Sequence, residues 1–125
     1  MEKEKFIKES GEMYLETILV LTKKLGFVRS VDIVNETGHS KSSVSKAVNI
    51  LKSNGFISVA KDGGITFTKM GEDHAKEIYE RHHVLKDFLV KLGVTEETAE
   101  IDACRVEHVI SKETVDKIKE KLKEL

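Results

Sequence analysis

A mainly α-helical protein in two parts is the fold class that the sequence predicts: a helical N-terminal module closed by a small β-hairpin, then an all-helical module. Three observations predict it. Proline is absent and lysine and glutamate are abundant, so little in the chain interrupts a helix. Apolar residues recur at helical spacing through most of the length, with glycine at the breaks. Only residues 56–68 depart from that pattern, as two short runs rich in β-branched residues around Lys61-Asp62-Gly63-Gly64.

The elements follow in order. Residues 4–25 read as one amphipathic helix, with Phe6, Met13, Tyr14, Ile18, Leu21 and Leu25 at helical spacing. Gly11 marks a frayed or bent entry, and Gly26 ends the helix. Residues 30–37 form a short second helix, with Ser30 as N-cap and Val31, Ile33 and Val34 behind it. Gly38 breaks it. A third helix begins after Ser40 and runs to about Ser53, with Val44, Ala47, Val48 and Leu51 on its apolar face. Helix, glycine turn, helix is the spacing of a helix-turn-helix. Phe56–Val59 and Ile65–Thr68 then read as a hairpin, the wing of a winged helix.

Thr68 caps a fourth helix, 69–92, whose apolar face carries Ile78, Leu85, Phe88, Leu89 and Leu92 and which Gly93 ends. Thr95 caps a fifth, which runs to about Val109, with Glu96 and Glu97 in its first turn where the helix dipole favours them. Ser111 opens a sixth over 112–124, with Val115, Ile118 and Leu122. The expected domains are therefore a winged helix-turn-helix over 1–70 and an all-helical domain over 71–125.

Composition narrows the function. With 39% hydrophobic and 34% charged residues, the chain reads as soluble, with enough apolar surface for a modest core. No apolar run reaches the length of a membrane span, and the charged start lacks the apolar stretch of a signal peptide. A single cysteine excludes an internal disulfide, and the cytoplasm is the expected compartment. Net charge is −1, but residues 1–70 hold eleven Lys/Arg against eight Asp/Glu, and residues 71–125 ten against fourteen. A basic half suits DNA, and an acidic half suits cations.

The third helix carries parts for the major groove. Ser40, Ser42, Ser43 and Ser45 are short donors and acceptors, and Lys41 and Lys46 add charge. Lys61 in the wing turn reaches for a phosphate. The predicted partner is double-stranded DNA; no side-chain pair dictates one base.

Chemistry of another kind lies in Asp102-Ala103-Cys104-Arg105-Val106-Glu107-His108. On a helix, Cys104, Glu107 and His108 fall on one face, because positions i, i+3 and i+4 do. Thiolate, carboxylate and imidazole together suit a divalent first-row metal better than Mg2+ or Ca2+. Met13 and Glu16 share a face of the first helix. His82 and His83 lie in the fourth helix; His74 reads as a surface or packing residue.

These residues resemble the diphtheria-toxin-repressor family of metal-dependent repressors. Ala-Cys-Arg-Val-Glu-His-Val-Ile-Ser, residues 103–111, is very similar to the iron-type pattern. Gly-Glu-Met-Tyr-Leu-Glu-Thr-Ile, residues 11–18, resembles the family's first helix, and Gly-His-Ser-Lys-Ser-Ser-Val-Ser-Lys, residues 38–46, its recognition helix. The resemblance implies that Met13, Cys104, Glu107 and His108 hold the activating metal. It places His82 at a second, ancillary site, with Glu100 a partner there, and matches Glu16 to a carboxylate of manganese-type members. Lys86 stands where iron-type members have a glutamate. The chain also looks like the short form without the SH3-like domain. The implied cofactor is Fe2+ or Mn2+, with Ni2+, Co2+ or Zn2+ able to substitute.

The function expected is a homodimeric, metal-activated repressor bound to operator DNA, with Val84, Phe88, Leu92, Val106 and Ile110 as candidates for the dimer face. One rival is a winged-helix regulator that responds to redox or another ligand through Cys104. A metalloenzyme and a purely structural metal site are the other two.

Overall fold

The computed structural model describes residues 10–125. The expected helical start at residue 4, with Phe6, lies outside the described residues. Among those described are helices α1 (Glu12–Leu25), α2 (Ser30–Thr37), α3 (Lys41–Ser53), α4 (Lys69–Lys91), α5 (Glu96–Val106) and α6 (Lys112–Leu122). Strands β1 (Ile57–Val59) and β2 (Ile65–Phe67) stand between α3 and α4. The chain forms two compact units. The first ends at Lys76 and the second is Glu77–Leu125, so the boundary falls inside α4 rather than at 70–71.

In the first unit, α1 buries Tyr14, Leu15, Ile18, Leu19 and Leu21. Ile33 of α2 and Val44, Ala47, Val48 and Leu51 of α3 are buried as well. Gly11 keeps helical dihedrals, φ −62° and ψ −40°, and continues into α1 without the expected bend. The cap of α2 differs from expectation. Arg29, not Ser30, holds the extended N-cap backbone, and its N–H donates to Asp32 Oδ2 at 2.9 Å. An acidic side chain three positions on satisfies the cap more strongly than a serine hydroxyl does. Between α2 and α3 the chain turns at Gly38, whose φ of 75° is a left-handed conformation that only glycine adopts without steric cost. Ser40 then caps α3, accepting from the Ser43 N–H at 3.1 Å.

The hairpin is antiparallel, pairing Ile57 with Phe67, Ser58 with Thr66 and Val59 with Ile65. Val28 bridges to Ile65, which donates its N–H to the Val28 carbonyl at 2.8 Å. The hairpin's open end is fused to α4. Thr68 Oγ1 caps α4 by accepting from Gly71 N–H at 3.1 Å and donates to the Gly55 carbonyl at 2.5 Å, while the Thr68 backbone N–H donates to the Phe56 carbonyl at 3.1 Å. At Gly71 the backbone passes so close to Phe56 that an added Cβ would lie 1.8 Å from the Phe56 carbonyl oxygen.

In the second unit, Ile78 and Leu85 of α4 and Ala99 and Ala103 of α5 are buried. Thr95 and Ser111 cap α5 and α6, accepting from Thr98 and Thr114 N–H groups. Lys119 of α6 forms an ion pair with Glu80 of α4. Helix α5 stops at Val106, three residues before the expected Val109. Arg81 Nη1 donates to the Glu107 carbonyl at 2.5 Å, satisfying a group that a longer helix would have used. No helix among the described residues is long and apolar enough to cross a membrane.

The Gly71 approach gives a direct test. Gly71→Ala should destabilise the protein by about 2–3 kcal/mol, since backbone on both sides leaves nothing flexible to yield. Urea unfolding followed by circular dichroism would measure it; a loss below about 0.5 kcal/mol would show that the contact relaxes freely.

Candidate metal centre and nucleic-acid interface

The predicted DNA-facing residues of the first unit all reach solvent. Ser40, Lys41, Ser42, Ser43, Ser45 and Lys46 are exposed on α3 and its cap, and Lys61 is exposed in the wing turn. Two of the serines already have local work. Ser40 Oγ accepts the Ser43 N–H and lies 2.9 Å from Ser43 Oγ. Ser42 Oγ also lies 3.3 Å from Ser40 Oγ, which leaves Lys41, Ser45 and Lys46 as the freer groups of the face. Sequence reasoning missed Arg29, the single arginine of residues 1–70. It is exposed, lies 5.2 Å over the Phe27 ring, and runs its stem 3.8 Å from where a Gly63 Cβ would be. That places a guanidinium beside the wing turn that carries Lys61, where it suits a phosphate. Its only signal in the sequence was its isolation.

In the second unit the donor cluster centres on Glu107, whose carboxylate is fully buried. His82 Nδ1 lies 2.6 Å from Glu107 Oε2, and His108 Nε2 lies 3.2 Å from Glu107 Oε1. Cys104 is exposed, with Sγ within 4.8 Å of a Glu107 carboxylate oxygen. Helix α5 ends at Val106, but the Glu107 N–H still donates to the Ala103 carbonyl at 3.0 Å, one turn on from Cys104. Glu107 keeps near-helical dihedrals, φ −58° and ψ −26°, so the three still turn through one corner. His82 Nε2 reaches Glu100 Oε1 at 2.9 Å, and Lys86 Nζ holds the other Glu100 oxygen at 3.1 Å. Met13 and Glu16 are half-buried on α1 in the first unit, where Thr17 Oγ1 lies 3.7 Å from the Met13 sulfur.

Electrostatics follows this geometry. The hydrogen bond to Glu107 pushes the His82 imidazole up to about 9, against burial, with Glu100 adding to it. At neutral pH both ring nitrogens therefore carry protons and donate. Burial works to raise the Glu100 carboxyl, but the hydrogen bonds from Lys86 and His82 hold it below its ordinary value. Lys86 is raised in turn by its hydrogen bond to Glu100. The cluster is a chain of alternating charge from the surface to Glu107. Thiol, carboxylate and imidazole side by side are a donor set that fits a divalent transition metal, and His108, Glu107 and Cys104 are the residues that could hold one.

The fold and this cluster define a class: a winged helix-turn-helix joined to a helical unit rich in metal donors. Comparison with known proteins agrees. Residues 7–65 match the profile of the iron dependent repressor N-terminal DNA binding domain. Residues 68–125 match that family's metal binding and dimerisation domain. The chain belongs to the iron-dependent repressor family. It is 38% identical over 109 residues to the transcriptional regulator MntR of Salmonella typhimurium, covering 87% of this chain and 69% of that one. An HTH-type transcriptional regulator of Methanocaldococcus jannaschii is 32% identical over 115 residues, covering 90% and 92%. Among solved structures, the manganese regulator SloR superposes with a TM-score of 0.79 at 26% identity, over 90% of this chain and 53% of that one. A manganese-dependent transcriptional repressor in complex with manganese gives 0.81 at 26%, over 89% and 51%. The chain thus spans about half the length of these solved structures. The relatives are named as regulators, not as enzymes, and the metalloenzyme alternative is set aside.

The raised His82 value makes a prediction for the metal-free protein. A group whose folded value lies above its unfolded one, ~6.5 for histidine, stabilises the fold fully below that pH. That contribution is lost as pH rises through about 9. Unfolding midpoints should therefore fall between pH 6.5 and 9, and His82→Gln should flatten the slope. An imidazole that titrates near pH 6.5 by NMR would contradict the assignment.

Proposed function

We propose that this protein is a cytoplasmic, homodimeric, metal-activated transcriptional repressor that binds operator DNA through α3 and the wing. The observation that carries the reading is the buried Glu107 carboxylate, with His82 and His108 against it and the Cys104 thiol within 4.8 Å, in a chain that also presents an exposed Ser/Lys helix. Met13, Glu16, Cys104, Glu107 and His108 are the proposed ligands of the activating ion. His82 and Glu100 are proposed for a second ion, with Lys86 competing for Glu100. A bound Fe2+ or Mn2+ supplies positive charge that ligands from both ends of the sequence can share.

The chain's own residues do the rest. Glu107 keeps its charge in a buried place because cationic His82 faces it, so a metal that takes Glu107 need not create a new buried charge. Cys104 must lose its proton to ligate, so activation weakens as pH falls. Coupling is reciprocal: the DNA-competent state must hold metal more tightly, and DNA must tighten metal equally. In the second unit Leu92, Ile101 and Val109 are 63%, 54% and 63% exposed. With Val106, these apolar groups support a surface covered by a second copy.

Softness of the donors bears on the choice between the ions. A thioether at Met13 and a thiolate at Cys104 favour Fe2+ over the harder Mn2+, while the names of several relatives point to manganese. The redox alternative, with Cys104 as its sensor, is separated from this reading by following operator binding through titration with metal and then with oxidant.

The test is a fluorescence-polarisation titration of operator DNA with anaerobic Fe2+, Mn2+ and chelator. Metal should raise wild-type affinity by about 5–150-fold. Cys104→Ala should lose most of that response, and Met13→Asp should shift preference toward Mn2+. Equal wild-type binding with ion and with chelator would remove the sensor reading.

A further inference from the structure

Three consecutive residues of α1, Glu12, Met13 and Tyr14, sit differently from the rest of that helix. Tyr14 is buried at 5% exposure, and its hydroxyl lies 2.8 Å from His39 Nδ1, with the two rings edge to face at 5.7 Å. His39 directly precedes Ser40, the cap of α3. Glu12 is buried at 4% exposure, and its Oε2 lies 3.1 Å from His74 Nε2. The His74 ring packs against Phe56, with centroids 5.6 Å apart. Phe56 follows the end of α3 and opens the wing; its N–H donates to the Leu51 carbonyl at 3.0 Å, inside the last turn of α3. Its carbonyl is held by Thr68, at the start of α4.

The residues on either side of Met13 are therefore tied to the two ends of α3: Tyr14 directly to His39 before its cap, and Glu12 through His74 of α4 to Phe56 beyond its last turn. A helix moves as a rigid rod when its hydrogen bonds are intact, and two anchor points fix both its position and its tilt. A single anchor would leave α3 free to pivot. Each anchor is half-shielded: Tyr14 and Glu12 are buried, while their partners His39 and His74 reach solvent. Neither His39 nor His74 is among the proposed metal ligands, and the DNA-facing side chains of α3 and the wing are not part of either contact.

We propose that Tyr14–His39 and Glu12–His74 are a pair of positioning contacts that transmit the state of Met13 to both ends of α3. This rests on the functional reading above, because it takes Met13 as a metal ligand. Displacement of the first turn of α1 then moves the start of α3 and the base of the wing together. Loss of either contact leaves α3 free to pivot, so its orientation no longer follows Met13.

Amide hydrogen exchange with Mn2+ or with chelator separates the steps, because it reads each segment of the full-length protein by itself. In the wild type Mn2+ should slow exchange both at residues 104–110 and across residues 40–56, by about tenfold or more. Tyr14→Phe keeps the buried ring and removes the hydroxyl; His74→Phe keeps the packing on Phe56 and removes the nitrogen. In the double variant the slowing at 104–110 should remain, and that at 40–56 should fall below about threefold. Glu12→Gln, which retains an oxygen to accept from His74, should behave as the wild type. Full slowing at 40–56 in the double variant would overturn the proposal. Loss of slowing at 104–110 in the double variant would overturn it too, by showing that the contacts only support the site. Should the double variant not fold, Tyr14→Phe alone decides, and an undiminished response at residues 40–45 counts against it. A wild type indifferent to Mn2+ and to Fe2+ in both segments would instead remove the functional reading itself.

Discussion

A carboxylate with no access to water is the constraint around which the second unit is arranged. Glu107 is fully buried, and an isolated ionised carboxylate in such a place carries a penalty of several kcal/mol. Three basic groups converge on this residue: His82 and His108 on the carboxylate and Arg81 on the backbone carbonyl. The Arg81 bond takes up the Glu107 carbonyl where α5 gives way to the turn that leads to Ser111. The protonated His82 imidazole supplies the positive charge that faces this buried carboxylate.

The first unit solves a different problem, which is to hold a polar helix outward without losing its position. Helix α3 gives up one stripe, Val44, Ala47, Val48 and Leu51, to the core, leaving the serines and lysines on the opposite side. Its ends are set by contacts with residues distant in sequence: His39 against Tyr14, and Phe56 against Thr68 and His74. The close passage of Gly71 over the Phe56 carbonyl allows α4 to begin there at all. The wing and the start of α4 are consequently one mechanical piece with the end of α3.

Outside these two centres the polar groups follow ordinary surface behaviour. Pairs such as Lys69 with Asp73 and Lys112 with Asp116 lie one helical turn apart and are largely solvated. Solvent screening leaves each with little to contribute to stability. The Lys86–Glu100 pair differs in consequence rather than in strength. It puts a fixed positive charge on a carboxylate that also faces His82, where a second ion would otherwise find two ligands.

Much of the architecture was legible in the chain itself because it follows from local rules. Helical spacing of apolar residues, glycine at 26, 38 and 93, and hydroxyl caps at Ser40, Thr95 and Ser111 act within a few residues of one another. So does the turn that makes the wing. The donor types were legible too, since Cys104, Glu107 and His108 lie within five positions. What the sequence could not settle was decided by contacts between residues far apart along it. Arg81 closes on a carbonyl 26 positions away, a hydrogen bond that no periodicity encodes. His74 read as a surface or packing residue, and only the fold shows its partners, the Phe56 ring and Glu12, 62 positions earlier. The strength with which a buried carboxylate holds a proton on His82 depends on burial, and burial exists only once the chain has folded.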